Sequence, residues 1–166
     1  MVRWLSRTAA AVVVATGFFA APVVQASNGT DESALAGARN ATAALHDVNA
    51  AVAAGYQRLL PCFDLPGVGG MGQHYVNTSR LDATVVANQP EALVYEVNGD
   101  RLQLVAIEYI IPWSAWVSAA PPQLYGRSFT SVTSLHLWAL HAWIWRPNPD
   151  GMFANYNPNV KLCPGH

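Results

Sequence analysis

The sequence predicts an α+β fold: an N-terminal helix packed on a small, mostly antiparallel β-sheet, with long ordered loops, in a single domain closed by one disulfide. Three observations carry that expectation. They are a Pro-free, Ala-rich stretch with helical periodicity, two apolar runs flanking Asn98-Gly99, and two Cys far apart in a chain of 166 residues. That length suits one domain. Hydrophobic residues make up 52% of the chain and charged residues 11%, under half of the roughly 25% usual in soluble domains, which argues against disorder. A formal net charge of −1, with no run of Lys or Arg, removes the attraction that nucleic-acid binding depends on. No DNA or RNA partner is expected.

Residues 1–26 read as a cleavable secretory signal. Arg3 and Arg7 form a basic start, Ala9 to Ala21 an apolar core stopped by Pro22, and Val24-Gln25-Ala26 a cleavage site with the cut after Ala26. The apolar core is shorter than the roughly 20 residues of a membrane span, so a retained anchor is the weaker alternative and no membrane span is expected after cleavage. No Cys follows to take a lipid. The mature domain, residues 27–166, then carries seven Lys+Arg against ten Asp+Glu, a net charge of −3. It is expected to be secreted or periplasmic.

Within it, Thr30 to Tyr56 places Leu35, Ala38, Thr42, Leu45, Val48, Val52 and Tyr56 at intervals of three and four, a helix with one apolar stripe. Thr30 suits the N-cap, with Asp31 and Glu32 at the positive end of the dipole, and Gly55 and Pro61 mark the stop. His46 falls beside the stripe and reads as a flanking surface residue. In an exported chain the two Cys, Cys62 and Cys163, read as a disulfide before a reactive thiol. Such a bridge would contribute up to about 4 to 5 kcal/mol by loop-closure entropy.

Residues 61–74 hold four Gly and two Pro and are expected to form an irregular loop carrying His74. Gly67 to Gly72 spells G-x-G-x-x-G, but a helix precedes it where a dinucleotide site needs a strand, so that reading is rejected. Next, 92–97 and 101–111 flank Asn98-Gly99, a preferred two-residue hairpin turn. With those two residues at the turn centre, Glu96 faces Arg101, Tyr95 faces Leu102 and Leu93 faces Leu104. Pro90 would face Ile107 and end the partner strand, leaving Glu108 beyond its neighbour. A third strand is expected from Leu135 to Trp145, apolar on both faces, with a buried helix as the alternative. The Pro-rich segments 113–129 and 147–164 read as long functional loops.

Alternation places Glu108 on a face with Leu102, Leu104, Ala106 and Ile110, where a carboxylate must be paired, protonated or bound to metal. Arg80, Arg127 and Arg146 are the candidate ion-pair partners. His136 and His141 are five apart and do not share a face. His74, Glu108 and His141 have the composition of a two-His, one-carboxylate site, which leaves open positions on Fe, Mn, Zn or Cu. Tyr109, Trp143 and Trp145 are the expected walls of a ligand pocket beside it. Asn155, Asn157 and Asn159 lack the Gly and distal Glu of a calcium loop. No G-x-S-x-G appears, so Ser128, Ser131 and Ser134 read as loop hydroxyls.

The pieces Met71-Gly72-Gln73-His74-Tyr75-Val76-Asn77, Glu108-Tyr109-Ile110-Ile111-Pro112, His141-Ala142-Trp143-Ile144-Trp145, Asn148-Pro149-Asp150-Gly151-Met152-Phe153 and Asn157-Pro158 running to Cys163 carry a resemblance. In them the chain resembles a group of small exported bacterial proteins of unassigned function. The resemblance implies export and one compact domain, and it implies no reaction. The expected function is thus an exported protein with a small-molecule pocket that binds one transition metal through His74, Glu108 and His141. The alternative is a metal-free module that binds a small ligand, or an envelope interaction protein, with an aromatic-lined pocket. Reaction, metal and oligomeric state stay open.

Overall fold

The computed structural model describes residues 28–165, with side chains from residue 33 onward. The expected signal segment and the Thr30, Asp31 and Glu32 cap lie outside these described residues and side chains. Two short helices come first, α1 (Asn28–Thr42) and α2 (Val48–Ala53), separated by a 3-10 turn over Ala43–His46. The expected single helix is broken because the Asp47 side chain accepts a hydrogen bond from the Asn49 N–H and starts α2 afresh. The break rotates the stripe. Ala51 is fully buried and Val52 is 52% exposed, whereas an unbroken helix would bury Val52. Tyr56 is buried beyond the helix, and its hydroxyl donates to the Pro90 carbonyl at 2.8 Å.

Six strands form one antiparallel sheet in the order β1 (Gln57–Leu65), β2 (Gly69–Val76), β3 (Ala92–Asn98), β4 (Arg101–Pro112), β8 (Leu137–Ala142) and β7 (Thr130–Val132). A separate two-stranded ribbon joins β5 (Gln123–Leu124) to β6 (Arg127–Ser128). The sheet is curled, and the whole makes a single domain of the expected α+β class. No helix among the described residues is long and apolar enough to cross a membrane.

The expected loop at 61–74 is instead a β-hairpin, β1 with β2. Its glycines answer close packing more than flexibility. A Cβ on Gly70 would lie 2.3 Å from the Lys161 carbonyl oxygen, and one on Gly72 would lie 2.7 Å from that of Tyr95. Pro61 is tolerated because β1 is an edge strand. The C-terminal segment covers this hairpin. Gly70 and Asn157 exchange a backbone bridge, Asn157 N–H to Gly70 carbonyl at 2.9 Å. Cys62 and Cys163 are disulfide-bonded with Cα atoms 5.8 Å apart.

The β3–β4 hairpin exists, but its register differs from the expected one. Asn98 pairs with Arg101, Glu96 with Gln103 and Tyr95 with Leu104, so Gly99 and Asp100 are the turn centre. Gly99 alone of the two has positive φ, 60°, as in hairpin turns with Gly first. Further on, Val94 pairs with Ala106, so Val105 is an extra residue, a β-bulge. Side-chain alternation changes phase there. Leu104, Ile107, Tyr109 and Ile111 enter the main core with Leu93 and Tyr95, while Val105 and Ala106 join Val94, Trp143 and Val160 on the other face. Glu108 pairs with Ala92 and does not outrun its neighbour.

The third strand is shorter than expected. His136 precedes it in the left-handed region at φ 53°, ψ 48°, with its ring edge-on to Trp113 at 5.2 Å. Asn148 to Gly151 makes the expected turn, the Gly151 N–H donating to the Asn148 carbonyl at 3.1 Å. Asn157 and Asn159 use their side-chain amides on the Pro147 carbonyl at 3.3 and 3.1 Å.

Candidate metal centre

The sheet has a main-core face, covered by Leu35, Ala38 and Ala51 from the helices, and a second face with two smaller clusters. One holds Val94, Val105, Ala106, Trp143 and Val160; the other holds Val76, Ala92 and Ile110. The three expected metal ligands lie on this second face. Glu108 in β4 faces His141 in β8 directly. His74 in β2 faces Val94 in β3, so it sits two strands from Glu108 and one pair along. Ala92 and Ala106, both fully buried, keep the surface between them low. The curl of the sheet brings the side chains together over it.

The result is a close cluster in which one potential ligand atom from each residue lies within 4.8 Å of the other two. His74 Nε2 lies 3.4 Å from Glu108 Oε2, His141 Nε2 lies 3.4 Å from Glu108 Oε1, and the two Nε2 atoms are 3.4 Å apart. Each side is longer than the about 2.7–3.2 Å of a regular hydrogen bond. All three residues are buried, at 1%, 6% and 3% exposure for His74, Glu108 and His141. Burial lowers His74 to about 4. The same cause, reinforced by the neighbouring His74, lowers His141 to about 3. Glu108 is pushed up to about 8 by burial and by the negative charge of Glu91. Both imidazoles are therefore neutral at pH 7, the form that ligates metal.

None of the candidate Arg partners reaches Glu108. Arg146 pairs with Glu96 at 2.7 Å, Arg80 donates to the Tyr56 hydroxyl at 2.7 Å, and Arg127 lies over the Phe153 ring at 5.6 Å. Among the described residues no Arg or Lys forms an ion pair with Glu108. Glu91 is a buried carboxyl that the sequence reading passed over. Its Oε2 accepts the Ile110 N–H at 3.1 Å, and burial raises it to about 7.

A cavity of about 400 Å³ opens onto the triad. Its walls are not the aromatic residues expected. Tyr109 points into the main core, where its hydroxyl meets that of Tyr125 at 2.7 Å. Trp145 lies beyond the end of β8, so alternation no longer holds for it; it packs on the main core and edge-on to the exposed His46, with ring centroids 4.5 Å apart. Trp143 stacks on His141 at 6.0 Å and 16°, behind the ligand and not in the cavity wall. The walls come from Leu60, Phe63 and Met71 of the first hairpin, Ile110 and Leu137 of the central strands, and the segment Thr130 to Leu135. Phe63 also meets the His74 ring edge-on at 5.6 Å. Reading 61–74 as a loop concealed these walls; the Asp64-Leu65-Pro66-Gly67 turn signal between two runs was the cue to a hairpin. Ser131 and Ser134, read as plain loop hydroxyls, line the cavity.

The chain matches no protein-family model, no curated protein and no solved structure.

Proposed function

We propose that this is an exported metalloprotein holding one divalent transition-metal ion, zinc among those its donor set suits, on His74, Glu108 and His141, with a further position open to the cavity. The observation that carries the reading is the buried cluster in which one ligand atom from each of His74, Glu108 and His141 lies within 4.8 Å of the others. Two His, one carboxylate and one open position make the donor set of catalytic zinc, where the metal acts as Lewis acid and lowers the pKa of bound water.

Burial of two imidazoles and a carboxyl without regular hydrogen bonds is costly unless something compensates them. A bound cation compensates all three. Export is supported by the signal-like N-terminus and by the disulfide between Cys62 and Cys163. The test is elemental analysis of the exported protein purified without chelator, with zinc titration of chelator-stripped protein beside Glu108→Gln and His141→Ala. One zinc per chain, absent from both folded variants, is expected. Wild-type protein that stays metal-free after Zn, Cu, Fe and Mn are supplied overturns the reading in favour of a metal-free pocket.

A further inference from the structure

The metal reading leaves a charge to account for. A divalent ion on two neutral imidazoles and one carboxylate retains one positive charge, in a site whose three ligands are each at most 6% exposed. Uncompensated charge at such a site is expensive. Glu108 is the sole acidic side chain lining the cavity, and no Lys or Arg lines it. Among the described residues the lining therefore offers no cation for a second anionic group, and Glu91, the buried carboxyl whose charge reaches Glu108, lies outside the lining with its Oε2 held by the Ile110 N–H.

Apart from the triad the lining residues are uncharged, apolar ones such as Leu60, Phe63, Ile110 and Leu137 together with the hydroxyl-bearing segment Thr130 to Ser134 and Asn155 and Tyr156. A volume of about 400 Å³ lies within the roughly 300–1,000 Å³ of small-molecule sites and suits a body on the order of ten to fifteen non-hydrogen atoms. Leu135, 41% exposed, also lines it.

From the net charge of the ligand set and the uncharged walls, we propose that the cavity binds a small organic monoanion with an apolar body, a monocarboxylate, its charged end at the metal. This rests on the metal reading above. A dicarboxylate would bury a second charge among groups that cannot pair with it. An amine would meet the positive ion, and a neutral alcohol would leave the ion's charge uncompensated.

The experiment uses the exported protein, loaded with zinc to a stoichiometry checked by elemental analysis, and in parallel with cobalt(II) for its visible spectrum. Octanoate, octan-1-ol, octylamine and suberate are titrated into loaded and metal-free protein. Octanoate is expected to bind loaded protein at least tenfold more tightly than metal-free protein, and at least tenfold more tightly than the other three bind. It should also change the cobalt spectrum. At the rim, Leu135→Glu should weaken octanoate by about two- to threefold and Leu135→Lys should tighten it as much, with octanol unmoved by either. Octanol binding as well as octanoate, or octanoate indifferent to the metal, overturns the proposal. Stoichiometric zinc with no octanoate binding overturns it too, while the metal reading stands. Absence of zinc overturns both.

Discussion

The two faces of the sheet treat buried polar groups in opposite ways. On the main-core face Tyr56, Tyr95 and Tyr109 are each at most 1% exposed, yet each hydroxyl reaches a partner at 2.8, 2.6 and 2.7 Å. Those contacts complete the hydrogen bonding that burial demands. On the other face His74, Glu108 and His141 are as buried, and their polar atoms face one another at 3.4 Å. The first arrangement is finished by the chain alone. The second leaves the three side chains at contacts longer than regular hydrogen bonds and His74 Nδ1 without a partner, an arrangement compatible with a bound ion.

The disulfide gives the largest way to break this contrast. It joins β1 to the C-terminal segment across 101 residues, so the double variant Cys62→Ser, Cys163→Ser should lose up to about 4 to 5 kcal/mol in urea denaturation. A loss below about 1 kcal/mol would show that the β1 hairpin is held by packing without it.

Ile107 and Glu108 are adjacent in sequence and face opposite ways, so they sharpen the comparison directly. Ile107→Ala should cost about 2–5 kcal/mol of stability and leave metal stoichiometry at one. Glu108→Gln should abolish stoichiometric metal binding and cost the metal-free protein no stability at pH 8. If Ile107→Ala lost metal while Glu108→Gln kept it, the separation of the two faces would fail.

The third contrast is one of pH. Glu108 is raised from 4.5 to about 8, so its contribution in the metal-free fold is full below pH 4.5 and is lost as pH rises through 8. His74 and His141, lowered from 6.5 to about 4 and about 3, contribute fully above pH 6.5 and lose that contribution as pH falls. Between pH 6.5 and 8.5 the carboxyls alone change, Glu91 joining at about 7. The melting temperature of metal-free protein should therefore fall across that window. Zinc-loaded protein should fall less, because the ion compensates the Glu108 charge while Glu91 still titrates. Parallel melting curves for the two forms would refute the coupling.

The smallest effect belongs to the tyrosines. Tyr95→Phe removes the hydroxyl that donates to the Leu45 carbonyl and should cost about 0.5–1.5 kcal/mol, with zinc affinity unchanged. Guanidinium denaturation beside zinc titration checks both halves.

Local physics made part of this protein legible. Two Cys in a chain read as exported implied their pairing, Gly99 between two apolar runs implied the β3–β4 hairpin, and two His with one apolar-flanked Glu named the side chains that the fold brings together. Each depended on residue type or short-range pattern, which the chain carries in one dimension. Other features depended on contacts remote in sequence. Gly70 and Gly72 read as loop residues until the Lys161 and Tyr95 carbonyls were seen against them. The Val105 bulge inverted the alternation that would have placed Leu104 beside Glu108.

By itself, then, the sequence determined the α+β class, the disulfide and which three side chains form the buried cluster, because composition and periodicity act over a few residues. Only the tertiary structure decided the strand register, the walls of the cavity and the convergence of His74, Glu108 and His141 within 4.8 Å. A single bulge reverses a face, and the curl of six strands sets which side chains meet.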